Sequence, residues 1–175
     1  MSSSKVRKLG QVLDFTAVWA TDVLTVTTLA TQLVTGDIVT LVSDQSPQIL
    51  KGAVTVTNGT TFTMAAPKMY EGFLRGKVNI DFFRTGFTGN VWFTSPNSSG
   101  LAGVIQSVVT GTGGATTAIN GSLNGVNFGT ALATLTNTTV TGNSQSTTIA
   151  ANWAWLAASI SVIGAATKLE IWYSA

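Results

Sequence analysis

Residues 49–65 read ILKGAVTVTNGTTFTMA. Apolar and polar residues alternate on both sides of Asn58-Gly59, with the period of two that is typical of β-strands with one buried face. Asn-Gly is a strong hairpin signal, because both of its positions tolerate a positive φ. The stretch therefore predicts two antiparallel strands, at 49–57 and 60–65, joined by a tight turn.

The same alternation continues through the rest of the chain, with turn residues about every ten positions. Six short segments between residues 11 and 84 predict a small β-barrel or β-sandwich module. Seven more between residues 85 and 175 predict an antiparallel β-sandwich of the jelly-roll or immunoglobulin-like kind. Residues 149–166 reach the length of a membrane span, but their alternation predicts a buried strand, so no membrane partner is expected. The predicted fold is all-β, with residues 1–10 as an N-terminal arm.

Residues 85–167 contain no Asp, Glu, Lys, Arg, His or Cys. Charged residues usually make up about a quarter of a soluble chain, and without them a surface has little self-repulsion. We place the boundary between the two modules after Arg84, where this change in composition occurs. Such a surface favours a building block of an assembly over a freely diffusing monomer.

Catalytic residues are not expected. The chain has no histidine and no cysteine, which excludes a Ser-His-Asp triad, a thiolate nucleophile and the usual zinc ligands. Of the seven acidic residues, Asp14, Asp22, Asp37 and Asp44 lie at predicted turns and strand ends, where solvation or backbone capping is the simpler interpretation. We therefore predict a protein that is not an enzyme and needs no cofactor or metal.

Lys5, Arg7 and Lys8 form the one local basic cluster. The cluster is too short for a phosphate-binding surface, so nucleic acid is not an expected partner. Two interpretations stay open for these residues. They are either a solvated terminus or an arm that docks on an acidic neighbouring subunit.

Four tryptophans follow residue 84, and they are candidate contact residues because aromatic side chains dominate cores and interfaces. Trp153 and Trp155 are two positions apart and are predicted to share one strand face. We favour a role in the core or in a subunit interface over stacking on sugar rings. The four residues are Trp92, Trp153, Trp155 and Trp172.

Several short motifs resemble virion proteins of tailed bacteriophages. In the first half these are GDIVTL at 36–41, GAVTV at 52–56 and TTFT at 60–63. In the second half TGGATTAINGSLNGVNF at 112–128 and LATL at 132–135 are similar to a sandwich motif of phage structural proteins. WAWL at 153–156 and KLEIWY at 168–173 follow in the expected places. The chain departs from the pattern at Asn124, where Asp is usual, and lacks the arginine common after the tryptophan strand.

The resemblance implies a virion component that is assembled in the host cytoplasm. The leading expectation is a capsid decoration (cement) protein, a homotrimer on the capsid exterior that binds the major capsid protein. A receptor- or glycan-binding protein of a tail fibre or baseplate is the alternative, and a depolymerase is a weaker third option. On the leading expectation Lys5, Arg7 and Lys8 contact acidic capsid surface.

Overall fold

The computed structural model describes residues 6–45, 49–69, 73–94, 103–137, 144–149, 153–165 and 167–174. These residues form strands and no helix, so the all-β prediction is confirmed. No helix of the described residues is long and apolar enough to cross a membrane. The strands are β1 (Arg7–Leu9), β2 (Gln11–Ala20), β3 (Val23–Thr28), β4 (Ile38–Ser43), β5 (Ile49–Asn58), β6 (Thr61–Ala65), β7 (Phe73–Ile80), β8 (Phe83–Arg84), β9 (Gly89–Thr94), β10 (Gly103–Thr110), β11 (Ala115–Ser122), β12 (Ala131–Asn137), β13 (Ser144–Ile149), β14 (Trp155–Ile163) and β15 (Lys168–Ser174).

The chain divides into two compact units. The barrel unit is Gln11–Asp81, and the sandwich unit consists of Met1–Gly10 together with Phe82–Ala175. The boundary predicted from composition followed Arg84, whereas the barrel unit ends at Asp81. The described residues of the predicted arm, 6–10, belong to the sandwich unit, because β1 is hydrogen-bonded to β15.

The barrel unit is a closed antiparallel barrel with the strand order β2-β3-β6-β5-β4-β7, in which β7 pairs again with β2. Alternation along each strand decides which residues enter its core. In β6, Phe62 and Met64 are buried, while Thr61 and Thr63 are only partly covered. Burial of alternate residues, as in β6, is what the sequence pattern predicts.

The hairpin predicted at Asn58-Gly59 forms between β5 and β6, but its turn differs from the expected one. Neither Asn58 nor Gly59 has a positive φ. Instead, Asn58 Oδ1 accepts hydrogen bonds from the amide and the hydroxyl of Thr60, at 2.9 and 3.0 Å. The side chain of Asn58 thus closes the turn as an Asx turn, and the left-handed backbone is not needed.

The sandwich unit contains two sheets packed around one core. One sheet has the order β1-β15-β10-β13, with β8 also paired to β15, and the other has the order β12-β11-β14-β9. Both sheets contribute to the core, the first through Ile105 and Ile171 and the second through Ile119 and Leu156. Ser107 and Asn137 form a buried polar contact between the sheets, in which the Ser107 hydroxyl donates to Asn137 Oδ1 at 2.7 Å. The predicted barrel and sandwich are therefore both present.

The strand order identifies the sandwich as a jelly roll. When β1 and β8 are counted as one strand, the first sheet holds strands one, eight, three and six. The second sheet then holds strands two, seven, four and five. Eight strands distributed between two sheets in this order form the jelly roll, which selects one of the two sandwich types left open by the sequence.

The first strand of the jelly roll is split by the barrel unit. Leu9 of β1 lies opposite Ile171, and Phe83 of β8 lies opposite Leu169 on the same edge of β15. Only the position opposite Glu170 separates the two pieces. The barrel unit is therefore an insertion into this strand. The sequence pattern missed β1 and β8 because strands of two or three residues are too short to show an alternation.

We expect the sandwich unit to fold after removal of residues 11–82. Joining Gly10 to Phe83 places Gly10 opposite Glu170 and keeps Leu9 and Phe83 in their observed register. The near-ultraviolet circular dichroism of the sandwich tryptophans and a cooperative denaturant transition should both be retained. Removal of residues 10–82 is the matched control, because it shifts Phe83 by one position and turns it out of the core. If both deletion variants are unfolded to the same extent, the interpretation of the barrel unit as an insertion into this strand is contradicted.

Candidate functional site

The loop of residues 123–130, between β11 and β12, has a shape fixed by one side chain. Asn124 Oδ1 accepts hydrogen bonds from Ser122 Oγ at 3.0 Å, Val126 N at 3.0 Å and Asn127 N at 2.9 Å. Gly125 N donates to Ser122 Oγ at 3.0 Å, and Gly125 has a φ of 73°. These bonds replace the strand ladder that ends at Ser122, so the loop is an ordered turn.

A second set of bonds closes the base of the loop. Asn120 Nδ2 donates to the carbonyl of Gly129 at 2.8 Å, and Gly129 N donates to the carbonyl of Gly121 at 3.3 Å. The loop is therefore held at its tip by Asn124 and at its base by Asn120.

Trp155 covers the tip of this loop from the neighbouring strand. It is the first residue of β14 and lies in register with Ser122. A Cβ added to Gly125 would lie 3.0 Å from Cε2 of the Trp155 ring, so the ring packs directly on the glycine. The Trp155 side chain remains 38% exposed, which is unusual for a residue of this size.

Trp153 has a different environment, although it is only two residues away. It precedes β14, packs against the sandwich core and is partly buried. A Cβ on Gly121 would lie 2.3 Å from Cδ2 of its ring. Trp153 therefore contributes to packing inside the sandwich unit, whereas Trp155 is exposed enough to contact another molecule.

Two large apolar side chains of the same loop point into solvent. Leu123 is 71% exposed and Val126 is 75% exposed. With Trp155 they form what we call the apolar loop surface, on a stretch of chain that carries no charge. Apolar residues held exposed on an ordered loop are typical of an interaction site, with an aromatic residue as its anchor.

In the described part of the sandwich unit, the charged residues lie elsewhere, on β15 and on the strands β1 and β8 that pair with it. Lys8 Nζ lies 2.9 Å from Glu170 Oε1 and 4.6 Å from the centroid of the Trp172 ring. Lys168 Nζ lies 3.0 Å from the same Glu170 oxygen and 4.8 Å from the Phe82 ring centroid. The contacts of Lys8 fasten β1 to β15 within one chain.

Glu170 is the acid at the centre of this cluster. Partial burial by itself would raise the pKa of Glu170, but hydrogen bonds from Lys8 and Lys168 and their positive charges outweigh that effect. The pKa of Glu170 is therefore lowered from its ordinary value of 4.5. The carboxylate stays ionised and bound to both ammonium groups at neutral pH.

The residues proposed from the sequence do not form a single site. Arg7 is exposed on β1, while Lys8 is engaged with Glu170 of the same chain. Lys5 and the side chain of Trp92 lie outside the described residues. Trp172 is partly buried beside Lys8, on the sheet opposite to Trp155.

Sequence reasoning missed the two most exposed members of the apolar loop surface. Leu123 and Val126 flank Asn124-Gly125, and large apolar residues on both sides of a turn dipeptide were a usable signal.

Comparison of the chain with protein-family models, with curated proteins and with solved structures finds no significant match. Within the described residues, no group of three or more His, Cys, Asp or Glu side chains could hold a metal ion.

The substitution Asn124→Ala is expected to loosen the loop. It removes the acceptor of three hydrogen bonds, each worth about 1 kcal/mol at most in an exposed loop. Protection of the Val126 and Asn127 amides from hydrogen exchange should fall. The matched variant Asn124→Asp keeps the acceptor oxygen and should preserve the protection. Equal protection in the two variants would show that the Asn124 side chain does not organise the loop.

The substitution Glu170→Gln is expected to reduce the free energy of unfolding at pH 7 by about 1 kcal/mol, a value limited by partial exposure. The pKa of Glu170 is lower in the folded state than its ordinary value of 4.5. Its carboxylate therefore contributes fully to stability above pH 4.5, and this contribution is lost as the pH falls through the folded-state pKa. Denaturant titrations should therefore show a gap between wild type and variant that closes in acid.

Asp14→Asn is the control for this prediction. It breaks the ion pair between Asp14 and Lys77, which is exposed on the barrel, and should have a smaller effect. A gap between Glu170→Gln and wild type that persists unchanged in acid would contradict the role of the carboxylate.

Proposed function

We propose that the protein is a non-enzymatic structural protein of a tailed-bacteriophage virion, a decoration protein that binds the shell of major capsid protein from outside. It is assembled in the host cytoplasm and acts as a homotrimer. The observation that carries the proposal is the apolar loop surface, in which Leu123, Val126 and Trp155 are held exposed on an ordered, uncharged loop.

The fold and the motifs support the proposal from two sides. Jelly rolls occur in viral capsid proteins and in lectins, so the architecture is compatible with a virion role. The loop that carries the apolar surface is part of the 112–128 motif that resembles phage structural proteins. The most exposed apolar residues and the most specific motif therefore coincide.

Binding on this proposal depends on buried area and not on chemistry. Burial of an exposed aliphatic or aromatic side chain contributes roughly 1.5–3 kcal/mol. Because the loop is already ordered, little conformational entropy is lost when it docks. Several copies of one weak contact, linked in an oligomer, strengthen attachment through avidity.

The test is co-sedimentation of purified protein with purified, expanded phage heads. Leu123→Asp and Val126→Asp should each lower the affinity at least about tenfold, because a charge would be buried at the contact. Val162→Asp is the matched control, since Val162 is 57% exposed on β14 outside the loop; it should bind like wild type. Wild-type protein that does not bind heads would overturn the proposal.

A glycan-binding protein of a tail fibre or baseplate is the second candidate, and the exposure of Trp155 is the observation that favours it. A sugar ring stacked on Trp155 would change the intrinsic fluorescence when host envelope polysaccharide is added. Trp155→Ala should abolish the response, while Trp19→Phe, in the barrel unit, should keep it. A wild-type protein that responds in this way and ignores heads would establish this candidate over the first.

A further inference from the structure

The edges of the two sandwich sheets differ in how they are protected from further strands. The edge formed by β1 and β8 carries Arg7, Lys8 and Arg84. The outer strands of the four-stranded sheet, β9 and β12, contain no charged residue and no proline, and the same holds for β13 at the other edge of the first sheet. Monomeric proteins usually protect such edges with charges, prolines or bulges.

The edge strand β9 is regular and pairs with β14 at six consecutive positions, from Gly89 to Thr94, without a shift in register. On the opposite edge, β12 pairs regularly with β11 from Ala133 to Asn137. Among the described residues, each of these strands is hydrogen-bonded along one side only. β12 has a bulge at Leu132, but β9 and the part of β12 from Ala133 onward are regular, uncharged strands that could accept a further strand.

The core is incompletely covered next to β9. Phe87, Val91 and Phe93 pack against the core but are only partly buried. Ala133, on β12, is also only partly buried. An added strand would cover apolar atoms at either edge, which gives pairing a hydrophobic contribution besides the hydrogen bonds.

Strand direction allows the two edges to meet. All three pairings in the four-stranded sheet are antiparallel, so its outer strands β9 and β12 run in opposite directions. Rotation of a second copy about an axis parallel to the strands therefore brings its β12 antiparallel to β9. Repeated contacts of this head-to-tail kind close into a ring when the rotation from copy to copy divides a full turn, and form an open filament otherwise.

We propose that β9 of one copy pairs with β12 of the next, so that the four-stranded sheet continues from subunit to subunit in a closed ring. The strand that pairs with each edge comes from a second copy of this chain, because the chain carries both complementary edges. Neither edge carries a charge that would repel the other. This inference rests on the proposed self-association, and it is independent of the capsid as a partner.

A charge placed on the edge tests the contact. Asn90 is exposed on β9, so Asn90→Lys should abolish the oligomer and give the mass of one chain, 18.1 kDa, by light scattering. Ser161→Lys is the control, because Ser161 is exposed on the interior strand β14; it should keep the wild-type mass. Loss of the oligomer in both variants, or in neither, would overturn the proposal.

Cross-linking identifies which edges meet, because the natural chain contains no cysteine. Asn90→Cys and Thr134→Cys should be linked by a short bis-maleimide when the two variants are mixed. Neither should be linked when it is alone. Linkage of Asn90→Cys to itself would mean a symmetric dimer through β9 and would overturn the ring.

The light-scattering and cross-linking experiments contain no phage heads, so they test the ring independently of capsid binding. A monomeric wild-type protein that still binds heads would overturn the ring and leave the decoration role standing. A ring with the expected cross-links that does not bind phage heads would support the ring and overturn the decoration role.

Discussion

The sandwich unit depends on the position of β15 inside its sheet. This strand is hydrogen-bonded to β10 along one side and to both β1 and β8 along the other. Its inward residues Leu169, Ile171 and Tyr173 are buried in the core, and its outward residue Glu170 holds Lys8. Because β1 and β8 flank the barrel unit, a single strand fixes both points at which the chain leaves the sandwich and returns.

This arrangement also explains how charge is distributed. The sandwich unit has five basic residues and one acidic residue, a net charge of +4, while the barrel unit has four basic and six acidic residues, a net charge of −2; together they give +2. The charges in the described part of the sandwich unit lie in β1, β8 and β15. They hold the split strand in place, and the remaining surface is left to Thr, Ser, Asn and apolar residues. A surface of that kind can approach an identical surface without repulsion.

The two neutral surfaces have different properties. The apolar loop surface presents side chains on a turn whose shape is set by Asn124, so contact there depends on shape and apolar area. The edges of β9 and β12 present backbone groups, so contact there depends on register and direction. Separate mutations can therefore test the proposed self-association and the proposed attachment independently.

The sequence by itself determined most of the strands, the two β modules and the lack of histidine and cysteine chemistry, because period-two alternation and residue type are local properties. The strand order, the split of the first strand and the Asx turn at Asn58 were decided only by tertiary structure. Alternation states which residues share a face but not which strand lies alongside. The different environments of Trp153 and Trp155, and the exposure of Leu123 and Val126, likewise depend on packing between distant segments. Trp153 and Trp155 have the same local sequence pattern, and their environments differ because β14 packs beside the loop that follows β11.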